Sequence, residues 1–137
     1  MSTFLLEIVT PDHLAYSGEV ESLTVRGVEG DLGILPGHIP MVTPLQVAPL
    51  IVKTGKKTSR IAVNGGFVEI RKDKVVVLAE SAETAEEIDL QRAEAAKERA
   101  ERRLAVSGKQ DEIDHRRAEL ALQKAMNRIN VFGNQKK

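Results

Sequence analysis

Cysteine is absent from the 137 residues. That removes a disulfide framework, a thiolate metal site and a cysteine nucleophile together, and it fits a reducing compartment. Tryptophan is absent too, and with one Tyr and three Phe the chain lacks the aromatic platforms on which single-stranded nucleic acid stacks. Nor does one sign of charge prevail. Twenty basic and 20 acidic residues give a formal net charge of zero, so no overall field draws in nucleic acid or an anionic membrane, and any anion site must be local. No apolar run approaches the ~20 residues that span a bilayer, and Met1-Ser2-Thr3-Phe4 lacks the basic start and apolar core of a secretory signal. No direct membrane insertion is expected. What remains is globular material, 42% hydrophobic and 29% charged, with a core built from Val, Ile, Leu and Ala. The length suits one domain with an appended element.

Strand-like spacing governs residues 1–85. Phe4 to Val9 reads as a strand closed by Thr10-Pro11-Asp12, because Pro cannot donate to a ladder and Asp favours the turn. In Val20 to Arg26, Leu23 and Val25 share one face and Ser22, Thr24 and Arg26 the other. Gly27, Gly30, Gly33, Pro36, Gly37 and Pro40 then predict a series of turns pinned to the core by Leu32, Ile34 and Leu35. Leu45 to Val52 carries Pro49, which suggests an edge strand or a break between two short strands. Thr54-Gly55-Lys56 turns the chain. Arg60 to Val63 and Phe67 to Arg71 flank Asn64-Gly65-Gly66, a hairpin signal because these residues tolerate positive φ. Val75 to Ala79 is a β-branched run expected to be buried on both faces. So many short strands with regular turn signals indicate an all-β sandwich or barrel.

At Ile88-Asp89-Leu90-Gln91-Arg92-Ala93 the apolar spacing changes to helical, which places the domain boundary here and a two-helix domain over 86–137. Asp89 is placed as the N-cap, and Ala93, Ala96, Ala100 and Leu104 form one stripe. After a break at Ser107-Gly108-Lys109, Asp111 is placed to cap a second helix with Ala118, Leu122, Ala125 and Ile129 as its stripe. So short a turn folds the helices into an antiparallel hairpin. An alanine seam buries little area, so the hairpin should depend on docking or a ligand. Basic residues repeat at one spacing on each helix, Arg92, Arg99 and Arg103 on the first and Arg117, Lys124 and Arg128 on the second. These make either a groove for a polyphosphate or an acidic surface, or two solvated faces laced by Glu94–Lys97 and Glu98–Arg102 pairs.

Catalytic motifs fail on inspection. Gly55-Lys56-Lys57-Thr58 resembles the tail of a phosphate-binding loop, but Leu50 stands where the earlier Gly is required and Lys57 where Ser or Thr is. His13, His38 and His115 have no ligand spacing and are read as structural or exposed, with His38 a possible partner contact. No context for a nucleophile elbow exists, so catalysis is not expected.

Three stretches together are similar to the epsilon-subunit family of bacterial F-type ATP synthases: Glu29-Gly30-Asp31-Leu32-Gly33-Ile34-Leu35-Pro36-Gly37-His38-Ile39-Pro40, Asn64-Gly65-Gly66-Phe67-Val68-Glu69-Ile70, and Ile88 to Ala93. The resemblance implies a β-sandwich followed by two helices, in a non-catalytic rotor subunit at the cytoplasmic face of the bacterial membrane. It further implies that the sandwich binds the gamma subunit and the c-ring, with Asp31 and His38 in the contact loop. Asp31 stands where Glu is common. The hairpin, extended into the catalytic head of alpha and beta subunits, would restrain ATP hydrolysis through a basic face that includes Arg103, Arg116 and Arg117. Folded down, it would not. Some members bind ATP in the folded form through Ile/Leu-Asp-x-x-Arg-Ala, which Ile88, Asp89, Arg92 and Ala93 match. By the same resemblance Glu83, Arg99, Lys124 and Arg128 complete that site, with or without Mg²⁺; Lys124 occupies a position where relatives carry Arg, which exchanges a bidentate fork for a point charge. The competing readings are that Asp89 simply caps the helix and pairs with Arg92, and that the chain is a free-standing ATP sensor. Co-purification with gamma separates the latter from a rotor subunit.

Overall fold

The computed structural model describes residues 2–106 and 112–134. Eight strands come first: Phe4–Val9 (β1), Leu14–Val20 (β2), Ser22–Gly27 (β3), Gly30–Ile34 (β4), Met41–Thr54 (β5), Lys57–Ile70 (β6), Lys74–Ala79 (β7) and Ala82–Thr84 (β8). A single 3-10 turn at Ala85–Glu87 leads to helices Leu90–Ala105 (α1) and Glu112–Gly133 (α2). The strand order is β2-β1-β7-β6-β5-β3-β4, with β8 also on β6. The long strands β5 and β6 change partners along their length. Residues 66–70 of β6 pair with β7, whereas 61–63 pair with β8. The β5–β6 hairpin thus belongs to both layers of the sandwich.

Period-two patterning fills the space between the layers. Leu6, Ile8, Leu23, Val25, Ile34, Leu50, Val52, Val63, Val68 and Val77 are essentially inaccessible, and every strand contributes to this one cluster. Each such side chain stabilises the fold by roughly 1.5–3 kcal/mol. Leu23 and Val25 face inward and Ser22, Thr24 and Arg26 outward, as their alternation predicts.

Several expectations are corrected. Asn64-Gly65-Gly66 is not a hairpin turn: β6 runs straight through it. Gly65 and Gly66 take φ of 90° and 136°, so the tolerance for positive φ serves a bend where the strand exchanges β8 for β7. Pro49 neither ends β5 nor makes it an edge. It pairs with Ala62 on β6 and falls where the β3 ladder lapses, between Leu45 and Ile51, so its missing N–H costs no bond to β3. Leu14–Val20 forms a strand beside β1 that the sequence pattern does not announce, because Ser17, Gly18 and several exposed positions break its alternation. Gly30–Ile34 is likewise a strand rather than turns, paired with β3 from Gly27↔Gly30 to Leu23↔Ile34. Leu35 does not pin this segment: it is 62% exposed. In β7 Leu78 is half exposed, so that run is buried on both faces only at Val75 to Val77.

The helices pack on each other through alanine. Ala93 and Ala100 on α1, and Ala118 and Ala125 on α2, are buried, each pair seven residues apart, the repeat expected of an antiparallel seam. The Ser107-Gly108-Lys109 break and the Asp111 cap lie outside the described residues. Within α2, His115 lies 2.9 Å from Glu119 and Arg116 pairs with Glu112 at 2.8 Å. The pairs envisaged at Glu94–Lys97 and Glu98–Arg102 are not formed.

Candidate functional site

Two faces of α2 are covered. The alanine face meets α1, and the opposite face lies on β5, β6 and the 3-10 turn. Val131, completely buried, packs with Ala62, Ala85 and Ile88 in a cluster separate from the sandwich core, with Phe132 at its edge. Ile88 therefore sits between the domains, 6% exposed, and its role is apolar docking.

The turn that presents Ile88 is held by side chains. The Glu87 carboxylate accepts from the Thr84 N–H at 2.9 Å and from the Thr84 hydroxyl at 3.0 Å, so one carboxylate satisfies both donors at the entry of the turn. Asp89 then caps α1, its Oδ1 accepting from the Arg92 backbone N–H at 3.1 Å. Loss of such a cap costs about 1 kcal/mol. The envisaged Asp89–Arg92 pairing is thus with the backbone N–H, and the Arg92 guanidinium is exposed. Ala93, 3% exposed, begins the seam.

Beside this hinge the charged residues of α2 meet the sandwich. Arg128 Nε donates to Glu83 Oε1 on β8, both side chains more than two-thirds buried. One turn earlier, Lys124 Nζ lies 3.8 Å from Glu80 Oε2. The structure therefore brings Glu83, Lys124 and Arg128 to one edge of the domain junction, with Ile88 beneath. Arg92 and Arg99 stand on exposed positions of α1 and, among the described residues, make no ion pair with that group. Arg103 and Arg117 are also exposed, and Arg116 is held by Glu112 at 2.8 Å. In donor chemistry the set fits a polyphosphate: two cations on a fixed helix face and two more on the neighbouring helix. Glu83 holds Arg128, whereas the mostly exposed Glu80 only lies near Lys124. Among the described residues no three acidic or histidine side chains converge as a metal set.

Sequence reasoning missed the polar centre of the junction. Asn127 on α2 is 6% exposed and its Nδ2 donates to the Val63 carbonyl at 3.1 Å and to Asn64 Oδ1 at 3.4 Å. Asn64, itself buried, donates through Nδ2 to Ser81 Oγ at 2.7 Å. The Asn127 Oδ1 meets no donor among the described residues, which costs about 1–3 kcal/mol in a buried site. An Asn four residues before Val131, on the helix face away from the alanines, was the available signal.

The remaining predicted site residues lie far along the sheet. Asp31 on β4 accepts from Arg26 Nε at 3.2 Å, an exposed cross-strand pair worth ~0–1 kcal/mol. His38 follows a turn in which its N–H donates to the Leu35 carbonyl at 3.1 Å. Its Nδ1 lies 2.8 Å from the Ile39 carbonyl, so that nitrogen carries the proton. Leu35 and Ile39 beside it are 62% and 78% exposed, an apolar tip presented to solvent between two polar groups. No described helix is long and apolar enough to cross a membrane.

Comparison with known proteins matches this arrangement. Residues 3–85 match the family model described as ATP synthase, delta/epsilon chain, beta-sandwich domain, and residues 86–133 match ATP synthase, delta/epsilon chain, long alpha-helix domain. The ATP synthase epsilon chain of Alkalihalophilus pseudofirmus is 55% identical over 111 residues, 81% of this chain and 83% of that one. That of Bacillus subtilis is 53% identical over 104 residues, 76% of this chain and 79% of that one. Among solved structures, a chain in the mitochondrial ATP synthase of Euglena gracilis (OSCP/F1/c-ring) superposes with a TM-score of 0.79 at 26% identity, covering 95% of this chain and 81% of that one. A chain in the central stalk and c-ring structure of the Tetrahymena thermophila enzyme shares the fold, with a TM-score of 0.61 at 14% identity.

Proposed function

The chain belongs to the ATP synthase delta/epsilon family, and from that premise we propose that it is the non-catalytic epsilon subunit of a bacterial rotor, joining gamma to the c-ring. Its helical hairpin acts as a switch. Docked, the hairpin leaves ATP hydrolysis free. Extended into the alpha/beta head, it restrains hydrolysis through the exposed arginines Arg103, Arg116 and Arg117. The sandwich end that presents Leu35 and Ile39 between Asp31 and His38 is the rotor contact, since apolar residues at an exposed tip gain most by being covered. The subunit is peripheral, held at the cytoplasmic face by its partners.

One observation carries the switch. The hairpin rests on the sandwich through one small apolar cluster, the Asn127 amide and two ion pairs, Arg128–Glu83 and Lys124–Glu80, while its own seam is alanine. An attachment of that kind is reversible. ATP shifts the balance only if it binds the docked form more tightly. At a hundred times its dissociation constant it would stabilise that form by about 2.7 kcal/mol, enough to change the docked-to-extended ratio about a hundredfold. Arg92, Arg99, Lys124 and Arg128 supply the phosphate contacts, with Mg²⁺ arriving on the nucleotide, and Ile88, Asp89 and Ala93 fix the hinge.

Calorimetric titration of ATP into the full chain, with and without Mg²⁺, tests this beside an Asp89→Ala/Arg92→Ala variant. Saturable binding in the parent, weakened at least tenfold in the variant, is the expected result. Absence of binding at millimolar ATP would reduce these residues to a cap and a solvated arginine.

A further inference from the structure

The face of α2 that meets the sandwich carries three amides, Gln123, Asn127 and Asn130, spaced so that they share one side of the helix. All three line an open cleft of about 890 Å³ between α2 and the middle of β5 and β6. Of these three only Asn127 is buried. What it meets there is unusual: the Val63 carbonyl and Asn64 Oδ1 are both acceptors. The Ser81 hydroxyl beside Asn64 can donate or accept, so it is the Val63 carbonyl, which only accepts, that sets the direction. The sandwich thus offers α2 a point that only a donor satisfies. The Asn127 carboxamide cannot be reversed, because that would place its oxygen against the Val63 carbonyl.

We infer that Asn127 is the positioning residue of the docked hairpin, its amide selecting the one register of α2 that sets Arg128 against Glu83 and Lys124 against Glu80. The apolar contacts cannot do this alone. Val131 lies among Ala62, Ala85 and Ile88, contacts that carry no direction of their own, and α1 offers a seam in which alanine recurs on both helices. A shift of one helical turn, ~5.4 Å, would carry Arg128 away from Glu83 and bring to the Val63 carbonyl either Gln123, one methylene longer, or Asn130, three residues on rather than four, neither of which places its amide where Asn127 does. A buried amide that satisfies one partner set while its own oxygen stays unpaired favours register over binding strength, the best-attested use of polar groups in apolar interfaces. The regulatory consequence rests on the function proposed above: the cation pairs that would meet ATP exist only in this register.

The chain has no cysteine, so spin labels on Lys56→Cys in the exposed β5–β6 turn and Ala121→Cys on the exposed side of α2 report the register by their separation, without nucleotide. The labelled parent should give one narrow distance. Asn127→Leu, of similar size but unable to donate, should lower the ratio of that register to all others roughly five- to tenfold, the effect of one neutral buried hydrogen bond, with the remainder displaced or broadened. Gln123→Leu and Asn130→Leu should leave the distance unchanged. Slow hydrogen exchange at Val63, Val68 and Val77 confirms an intact sandwich in each variant. A narrow parent distance in Asn127→Leu, or an equal change in Gln123→Leu, would overturn the inference. Either result stands apart from ATP binding, since no ATP is present.

Discussion

Gly66→Ala will destabilise the sandwich severely, whereas Gly65→Ala will weaken it only modestly. At Gly66 φ is 136°, and an added Cβ would overlap the Leu78 carbonyl oxygen and approach the Ala79 Cα to 2.9 Å. Both are backbone atoms of the paired strand β7, so no side chain can swing aside. The strands must separate beside Val68 and Val77, two of the most buried residues. Strain and lost core packing together should exceed ~4 kcal/mol, against a total stability of ~5–15 kcal/mol. At Gly65 φ is 90° and the nearest atoms are the flexible end of Glu80 at 3.6 Å. Only the backbone penalty of about 1–2 kcal/mol applies there. Thermal unfolding of the two variants beside the parent checks the order. Similar melting temperatures for both variants would show that β6 and β7 can part at Gly66 without loss.

Val131→Asp will release the hairpin and leave the sandwich folded. Val131 is wholly buried, yet its neighbours Ala62, Ala85 and Ile88 form a cluster apart from the sandwich core. A carboxylate there loses the apolar contact and must leave the junction to remain hydrated. Loss of about 3 kcal/mol of docking lowers the docked-to-free ratio by roughly two orders of magnitude. In the assembled enzyme the proposed switch then stands extended. Hydrolysis should be restrained more strongly than in the parent, and added ATP should no longer relieve it. Hydrolysis equal to or faster than the parent's, with the sandwich still folded, would separate docking from inhibition.

The sequence was most legible where one periodicity or one local contact decides structure. The faces of β3, the Asp89 cap and the Ala93/Ala100 and Ala118/Ala125 seam are local, and they stand as read. Asn64-Gly65-Gly66 was misread because positive φ is common to a turn and to a bend under a crossing backbone, and only the long-range approach of Leu78 distinguishes them. Pro49 was misread for a related reason: whether its missing N–H matters depends on a gap in the β3 ladder. In α2 the alanine stripe revealed the face toward α1, while Lys124, Asn127 and Arg128 made the other covered face look solvated. Their partners, Glu80, Val63, Asn64 and Glu83, come from the sandwich some 40 to 65 residues away. The basic spacing puts Lys124 and Arg128 on one face of α2, but neither the pairing of Arg128 with Glu83 nor the buried amide beside it could be read from spacing.

The central claim is that ATP holds the hairpin docked. The most direct test is the separation between labels at Lys56→Cys and Ala121→Cys in the full chain, followed from zero to millimolar ATP. The account predicts that the docked distance gains population with ATP, saturates at the concentration where calorimetry saturates, and does neither in Asp89→Ala/Arg92→Ala. A docked population that is the same with and without ATP would contradict it.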